Sequence, residues 1–233
     1  MSRTRPSVTR SPIFPRCSLH CWSITTGVSA EAVSWVVLLR GFLPLLLAAT
    51  LGACSESTKP PAFKTTDISG ADFGKGFELL DTSGKPTTLA DFKGKVVVLF
   101  FGFTHCPDVC PGTLAELALV RKQLGADGER MQVVFVTLDP ERDRPEILKE
   151  YVPSFDPSFV GLYGDPAAIA RTAKEFKVFY QKVPGATPDR YTLDHTAAAF
   201  VFDPRGRLRL FASAGQGPEA LAHDIKLLLM EQG

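Results

Sequence analysis

Val96-Val97-Val98-Leu99-Phe100-Phe101-Gly102-Phe103, followed at once by Thr104-His105-Cys106-Pro107-Asp108-Val109-Cys110-Pro111, organises this 233-residue chain. The first eight residues offer water no polar face, so a strand made of them belongs in the centre of a sheet covered on both sides. From Pro111 to Leu124 the pattern turns helical: proline suits the first helical position, Leu114, Leu117, Ala118 and Val120 share a face, and Gly125 stops the run. The residues between them lie at the carboxyl end of a strand and the amino end of a helix. Free backbone N–H groups and the positive end of the helix dipole favour negative charge there.

Outward from this unit, Met131 to Leu138 reads as a second buried strand, Pro145 to Tyr151 as a short helix, and Asp165-Pro166 as the cap of a helix running to about Phe176. Val178 to Lys182 reads as an edge strand. Ala197 to Phe202 and Arg207 to Ala212 form a hairpin about Asp203-Pro204-Arg205-Gly206, and Pro218 to Met230 is the final helix. On the other side, Phe77 to Leu80 and Pro86 to Leu89 flank Asp81-Thr82-Ser83-Gly84 as a further hairpin. Apolar strands joined through a helical crossover pair in parallel, and a terminal hairpin adds an antiparallel pair. The order predicts an α/β, thioredoxin-like fold with an added N-terminal β-hairpin and an insertion around Glu141 to Tyr163.

With 26 basic against 25 acidic residues and no local basic patch, nucleic-acid binding is excluded. Five cysteines are too few for a disulfide-built scaffold. Residues 1–53 read as a signal region: an irregular Arg-bearing stretch precedes an apolar run, Val36 to Ala53, whose part beyond Arg40 is shorter than the roughly 20 residues that span a bilayer but fits an export signal. The run ends in Leu51-Gly52-Ala53-Cys54, which resembles the lipobox of bacterial lipoproteins and marks Cys54 for lipidation. We expect the translation start to lie downstream of Met1, near Val33 or Val36. Cys17, His20 and Cys21 have metal-ligand spacing but precede the expected cleavage point. Losing residues 1–53 removes Arg3, Arg5, Arg10, Arg16 and Arg40 against Glu31, leaving 21 basic and 24 acidic groups, a net charge of about −3. Residues 54–76, polar and bearing Pro60, Pro61, Gly70, Gly74 and Gly76, read as a linker from the lipid anchor to a domain over residues 77–233.

With Cys54 lipidated, Cys106 and Cys110 are the only thiols left in an oxidising compartment, and the helix amino end should lower both thiol pKa values. Two fates are open: the pair forms a bridge, structural or redox-active, or it binds something soft. Two thiolates suit Cu(I) above all, and one imidazole would complete a trigonal site that also accepts Cu(II). Of the three histidines beyond residue 54, His105 adjoins Cys106 on the strand side and His223 lies in the final helix. His195, in the polar loop Tyr191-Thr192-Leu193-Asp194-His195-Thr196 ahead of the last hairpin, is the best candidate ligand, against the alternative of a structural histidine. Asp194 is a candidate hydrogen-bond partner for its ring.

At these residues the chain resembles the Sco/SenC family, thioredoxin-like copper proteins of cytochrome c oxidase assembly. The resemblance covers about Phe77 to Met230. It rests on Gly102 to Pro111, on Thr137-Leu138-Asp139-Pro140-Glu141-Arg142-Asp143, and on Asp194-His195. It implies that Cys106, Cys110 and His195 ligate copper, and that the protein is a chaperone delivering copper to the CuA centre of cytochrome c oxidase. Its partner would be the CuA-bearing subunit or another copper chaperone, met from the periplasmic side of a bacterial cell envelope through a lipid anchor. Arg144 departs from the small polar residue expected there. Asp139, at the same strand edge as the cysteines, either tunes the site, meets a partner, or caps the next segment. The rival reading is an enzyme, a thiol–disulfide reductase that keeps the CuA cysteines reduced with the same pair.

Overall fold

The computed structural model describes residues 62–187 and 190–231. The expectations for Cys54, for Cys17, His20 and Cys21, and for the signal region lie outside them. Among the described residues no helix is long and apolar enough to cross a membrane.

Among the described residues, ten strands and four α-helices follow one another: β1 (Thr66–Asp67), β2 (Glu78–Asp81), β3 (Pro86–Thr88), β4 (Val96–Gly102), α1 (Val109–Leu124), β5 (Met131–Thr137), α2 (Pro145–Tyr151), β6 (Val160–Tyr163), α3 (Pro166–Glu175), β7 (Tyr180–Pro184), β8 (Tyr191–His195), β9 (Ala198–Phe202), β10 (Leu208–Ser213) and α4 (Pro218–Met230). Eight strands make one sheet in the order β1-β10-β9-β4-β5-β6-β2-β3, while β7 and β8 form a separate two-stranded ribbon. β4 runs parallel to β5, from Val96 opposite Met131 to Gly102 opposite Thr137, and antiparallel to β9. β5 is parallel to β6, and β2 and β3 pair antiparallel beyond it. This is the thioredoxin-like arrangement: parallel strands joined by helical crossovers, then an antiparallel hairpin and a closing helix.

Every residue of β4 and β5 is buried, because the sheet is covered on both faces. Successive side chains of a strand point to opposite faces, so Phe100 and Phe101 seed two different clusters. Phe101 meets Phe176 and Phe200 at ring separations of 5.3 and 6.1 Å, with Phe202 beyond Phe176. Phe100 meets Phe135, which in turn meets Tyr151 of α2, each pair at 6.1 Å. Each fully buried ring of this size contributes roughly 1.5–3 kcal/mol through burial.

Three sequence expectations are corrected. Helix α1 begins at Val109, two residues before Pro111, so Cys110 lies inside its first turn. Val160–Tyr163, inside the expected insertion, is a strand of the main sheet, short enough for its apolar run to pass as loop. Residues 62–76 are not all linker: Thr66 and Asp67 pair with Phe211 and Leu210 at the sheet edge, and Phe63, Ile68 and Phe73 pack on the core. The polar composition hides this because the partner that orders the segment is distant in sequence. The buried Asp224 carboxylate of α4 accepts the backbone N–H groups of Lys64 and Thr65 (2.8–3.0 Å), the Thr65 hydroxyl (2.8 Å) and His223 Nδ1 (2.8 Å). Gly74 seals the segment, since a Cβ there would lie 2.7 Å from Leu208 Cδ2 at a φ of +66°.

Burial raises the pKa of Asp224, but the hydrogen bonds from His223, Lys64 and Thr65 outweigh it and hold the carboxyl below its ordinary 3.8. A depressed carboxyl pKa adds stability that is present above the ordinary value and lost as pH falls through the folded one. Asp224→Asn should therefore lower stability at neutral pH by about 2 kcal/mol and flatten its decline in acid. Urea midpoints at pH 7 and pH 3 measure both; a variant with the midpoints of the wild type at each pH would refute the clasp.

Candidate metal centre

The end of β4 passes through Phe103 into a tight loop in which the Cys106 N–H donates to the Phe103 carbonyl (3.3 Å), and α1 starts after Asp108. The Asp108 side chain makes no cap hydrogen bond. Instead the Cys110 N–H, an orphan donor of the first helical turn, points to Cys106 Sγ at 3.4 Å. The helix start thus aligns the two sulfurs, one half-buried and one buried. Both are free thiols in this structure.

Gly102 makes room for the buried sulfur. A Cβ at that position would stand 2.9 Å from Cys110 Sγ and 2.8 Å from Phe135 Cε2, both closer than carbon tolerates. The loop is held from the other side by Asp143, fully buried, which accepts the Thr104 N–H (2.9 Å), the Thr104 hydroxyl (2.5 Å) and the Thr137 hydroxyl (2.7 Å). Asp143 shares its block with Asp139, and nothing local in the sequence distinguishes which carboxylate reaches across to the cysteine loop. Arg144 sits at the N-cap of α2, exposed.

His195 is the last residue of β8, and the expected polar loop is this strand, paired with β7 through Tyr180 opposite His195. Its Nε2 lies 3.4 Å from Cys110 Sγ, and its ring stands edge-on to Phe103 (5.9 Å) and Phe100 (6.4 Å). Nδ1 lies 3.0 Å from the Thr196 carbonyl. A carbonyl only accepts, so Nδ1 carries the proton and Nε2 keeps a lone pair aimed at the sulfurs. Burial lowers the His195 pKa, against the opposing pull of the Thr196 carbonyl and Asp194, and keeps the ring neutral. Asp194 is exposed, opposite Gln181 in the ribbon, and the ring's hydrogen-bond partner is the Thr196 carbonyl instead.

The expected lowering of both thiol pKa values fails at Cys110. Burial pushes that thiol well up, Cys106 and Asp143 add to the rise, and the Phe103 amide opposes it. Desolvation outweighs the helix end because the sulfur is wholly inside. Cys110 is thus a thiol whose S–H donates to His195 Nε2. A soft cation could replace that proton, and its charge would stabilise the thiolate.

Among the described residues, one group could hold a metal ion: ligand atoms of Cys106, Cys110 and His195 all lie within 4.8 Å of one another. Three atoms bound in a plane at about 2.3 Å from one ion stand about 4 Å apart, so small side-chain movements suffice to close the site. His105 stays outside, with Nδ1 3.1 Å from Thr104 Oγ1 and 3.6 Å from Asp143. His223 is bound to Asp224. Asp139 is buried and reaches Arg142 and Tyr191, not the sulfurs. Sequence reasoning missed Tyr151: its buried hydroxyl has no hydrogen-bond partner among the described residues, and burial followed by the charges of Cys110 and Cys106 pushes its pKa up.

A profile described as SCO1/SenC matches residues 65–230. The chain belongs to the SCO1/SenC family. The mitochondrial SCO2 homologue of Mus musculus is 35% identical over 166 residues, which cover 70% of this chain and 65% of the relative, just short of two thirds of its length. Among solved structures, ScoI of Bradyrhizobium japonicum with copper bound is 42% identical, with a TM-score of 0.62 over 68% of this chain and 100% of that one. Apo Sco1 of Thermus thermophilus is 43% identical, with a TM-score of 0.65 over 72% and 98%. The match begins at Thr65, so this SCO1/SenC domain includes the N-terminal segment that Asp224 clasps.

Gly102→Ala tests the packing of the buried sulfur. Its Cβ must displace Cys110 or Phe135, and we expect affinity for Cu(I), measured by competition with a chromophoric chelator, to fall at least tenfold. Unchanged affinity would show that the sulfur does not depend on this glycine.

Proposed function

We propose that this protein is a copper chaperone of the bacterial cell envelope that binds copper through Cys106, Cys110 and His195 and delivers it to the CuA centre of cytochrome c oxidase. The observation that carries the reading is the convergence of two sulfurs and one neutral imidazole nitrogen within 4.8 Å. Binding Cu(I) releases the thiol protons, and the two thiolates hold the soft ion; the imidazole adds the third ligand that Cu(II) favours. Solved relatives with copper bound support the choice of metal.

Delivery requires that ligands leave one at a time. Cys106 is half-buried on the loop, whereas Cys110 is buried, so an acceptor thiolate would reach the ion from the Cys106 side first. The acceptor we propose is the CuA-bearing subunit, directly or through another copper chaperone. A lipid on Cys54 would confine the search to the membrane surface.

A thiol–disulfide reductase needs only the two cysteines, whereas the copper reading gives the His195 contact with Cys110 a ligand's role. Metal analysis of the reduced domain should find one copper per chain in the wild type and none in Cys106→Ala or Cys110→Ala. His195→Ala should lose Cu(II) and keep weakened Cu(I). Stoichiometric copper in either cysteine variant would overturn the chaperone reading, as would a His195→Ala protein that binds both ions like the wild type.

A further inference from the structure

The ribbon that carries His195 has no backbone ladder to the main sheet. Its His195 end is tied by the backbone, because β8 runs within three residues into β9, but its other end is held by side chains, and polar ones gather there on Tyr191. The Tyr191 hydroxyl donates to Asp139 Oδ1 at 2.7 Å, and the Tyr191 carbonyl accepts from Arg142 Nη1 at 2.8 Å. The Arg142 guanidinium lies over the Tyr191 ring, 3.6 Å from its centroid, and its Nε donates to Asp139 Oδ2 at 2.5 Å. Asp139 is 1% exposed, so these are charge-assisted bonds away from water, among the stronger ones a protein makes. Lys182 and Glu141 add a pair 2.7 Å apart, but it is solvent-exposed and contributes little.

The other end of this clamp reaches the cysteines. Asp139 follows Leu138, whose N–H donates to the Gly102 carbonyl at 2.7 Å, and Gly102 is the residue on which Cys110 Sγ rests. One path therefore joins the sulfur's support to the base of the strand that ends in the imidazole. We infer that Asp139, Arg142 and Tyr191 are positioning residues for His195, setting where its Nε2 stands relative to the sulfur pair without touching the ion themselves. The inference rests on the proposed ligand set. Leu193, buried midway along β8, and the Phe100 and Phe103 contacts hold the ribbon on the body, so loss of the clamp should shift the ring without unfolding the domain.

A structural role and a positioning role predict different measurements. Tyr191→Phe keeps the ring and the carbonyl and removes one hydroxyl; Arg142→Ala removes the stack and both donors. Positioning predicts a loss of Cu(II) affinity of about tenfold in Tyr191→Phe and more in Arg142→Ala, with altered thiolate-to-Cu(II) charge-transfer absorption. Cu(I) affinity, which the sulfurs carry, should stay within about threefold. In the metal-free protein, NMR should show the His195 ring losing its contacts to Phe103. Equal losses for both ions alongside a lowered melting temperature would reduce the clamp to a stability element, and unchanged Cu(II) binding and ring contacts in both variants would overturn it outright. Because the ring contacts are read without metal, a failure of the copper reading, seen in His195→Ala, is distinguishable from a failure of the clamp.

Discussion

Cys110 Sγ rests on the bare Cα of Gly102, at the end of a strand buried along its whole length, and the His195 imidazole meets it from a ribbon that shares no ladder with that strand. The rest of the site follows from this packing. Burial makes Cys110 hold its proton more tightly than a free thiol and makes His195 give its proton up more readily. The two shifts suit each other: a thiol donor faces an imidazole acceptor across 3.4 Å, and the pair can exchange a proton for a soft cation without leaving an unpaired charge inside the domain.

The two cysteines divide the work by exposure. Cys106 stands on the loop and accepts the Cys110 N–H, so the start of the helix orients both sulfurs with one backbone group. Asp143 braces the same loop through Thr104 and Thr137 at the ends of the neighbouring parallel strands. A site braced on both sides of the sheet end has little freedom to drift, which favours a defined ligand geometry over a flexible redox turn.

Two buried aspartates outside the cysteine loop perform related tasks in different parts of the domain. Asp139 gathers the ribbon through Tyr191 and Arg142; Asp224 gathers the N-terminal segment through the amides of Lys64 and Thr65. Each uses a desolvated carboxylate to hold a segment that the main ladder reaches weakly or not at all.

The sequence alone determined the central strand, the helix after it, the terminal hairpin, the closing helix and the three candidate ligands. These are carried by continuous apolar runs, proline and glycine punctuation, and the spacing of Cys106 and Cys110, all local signals. Only the tertiary structure decided that residues 62–76 belong partly to the domain, that Tyr191 to His195 is a strand, that Thr196 and not Asp194 holds the imidazole, and that Asp143, Tyr151 and Gly102 surround the sulfurs. The physical reason is the same in each case. A hydrogen bond or a close packing between residues far apart in the chain leaves no periodic trace in the sequence, and the burial that raises the Cys110 pKa exists only once the sheet, the helix and the ribbon have come together.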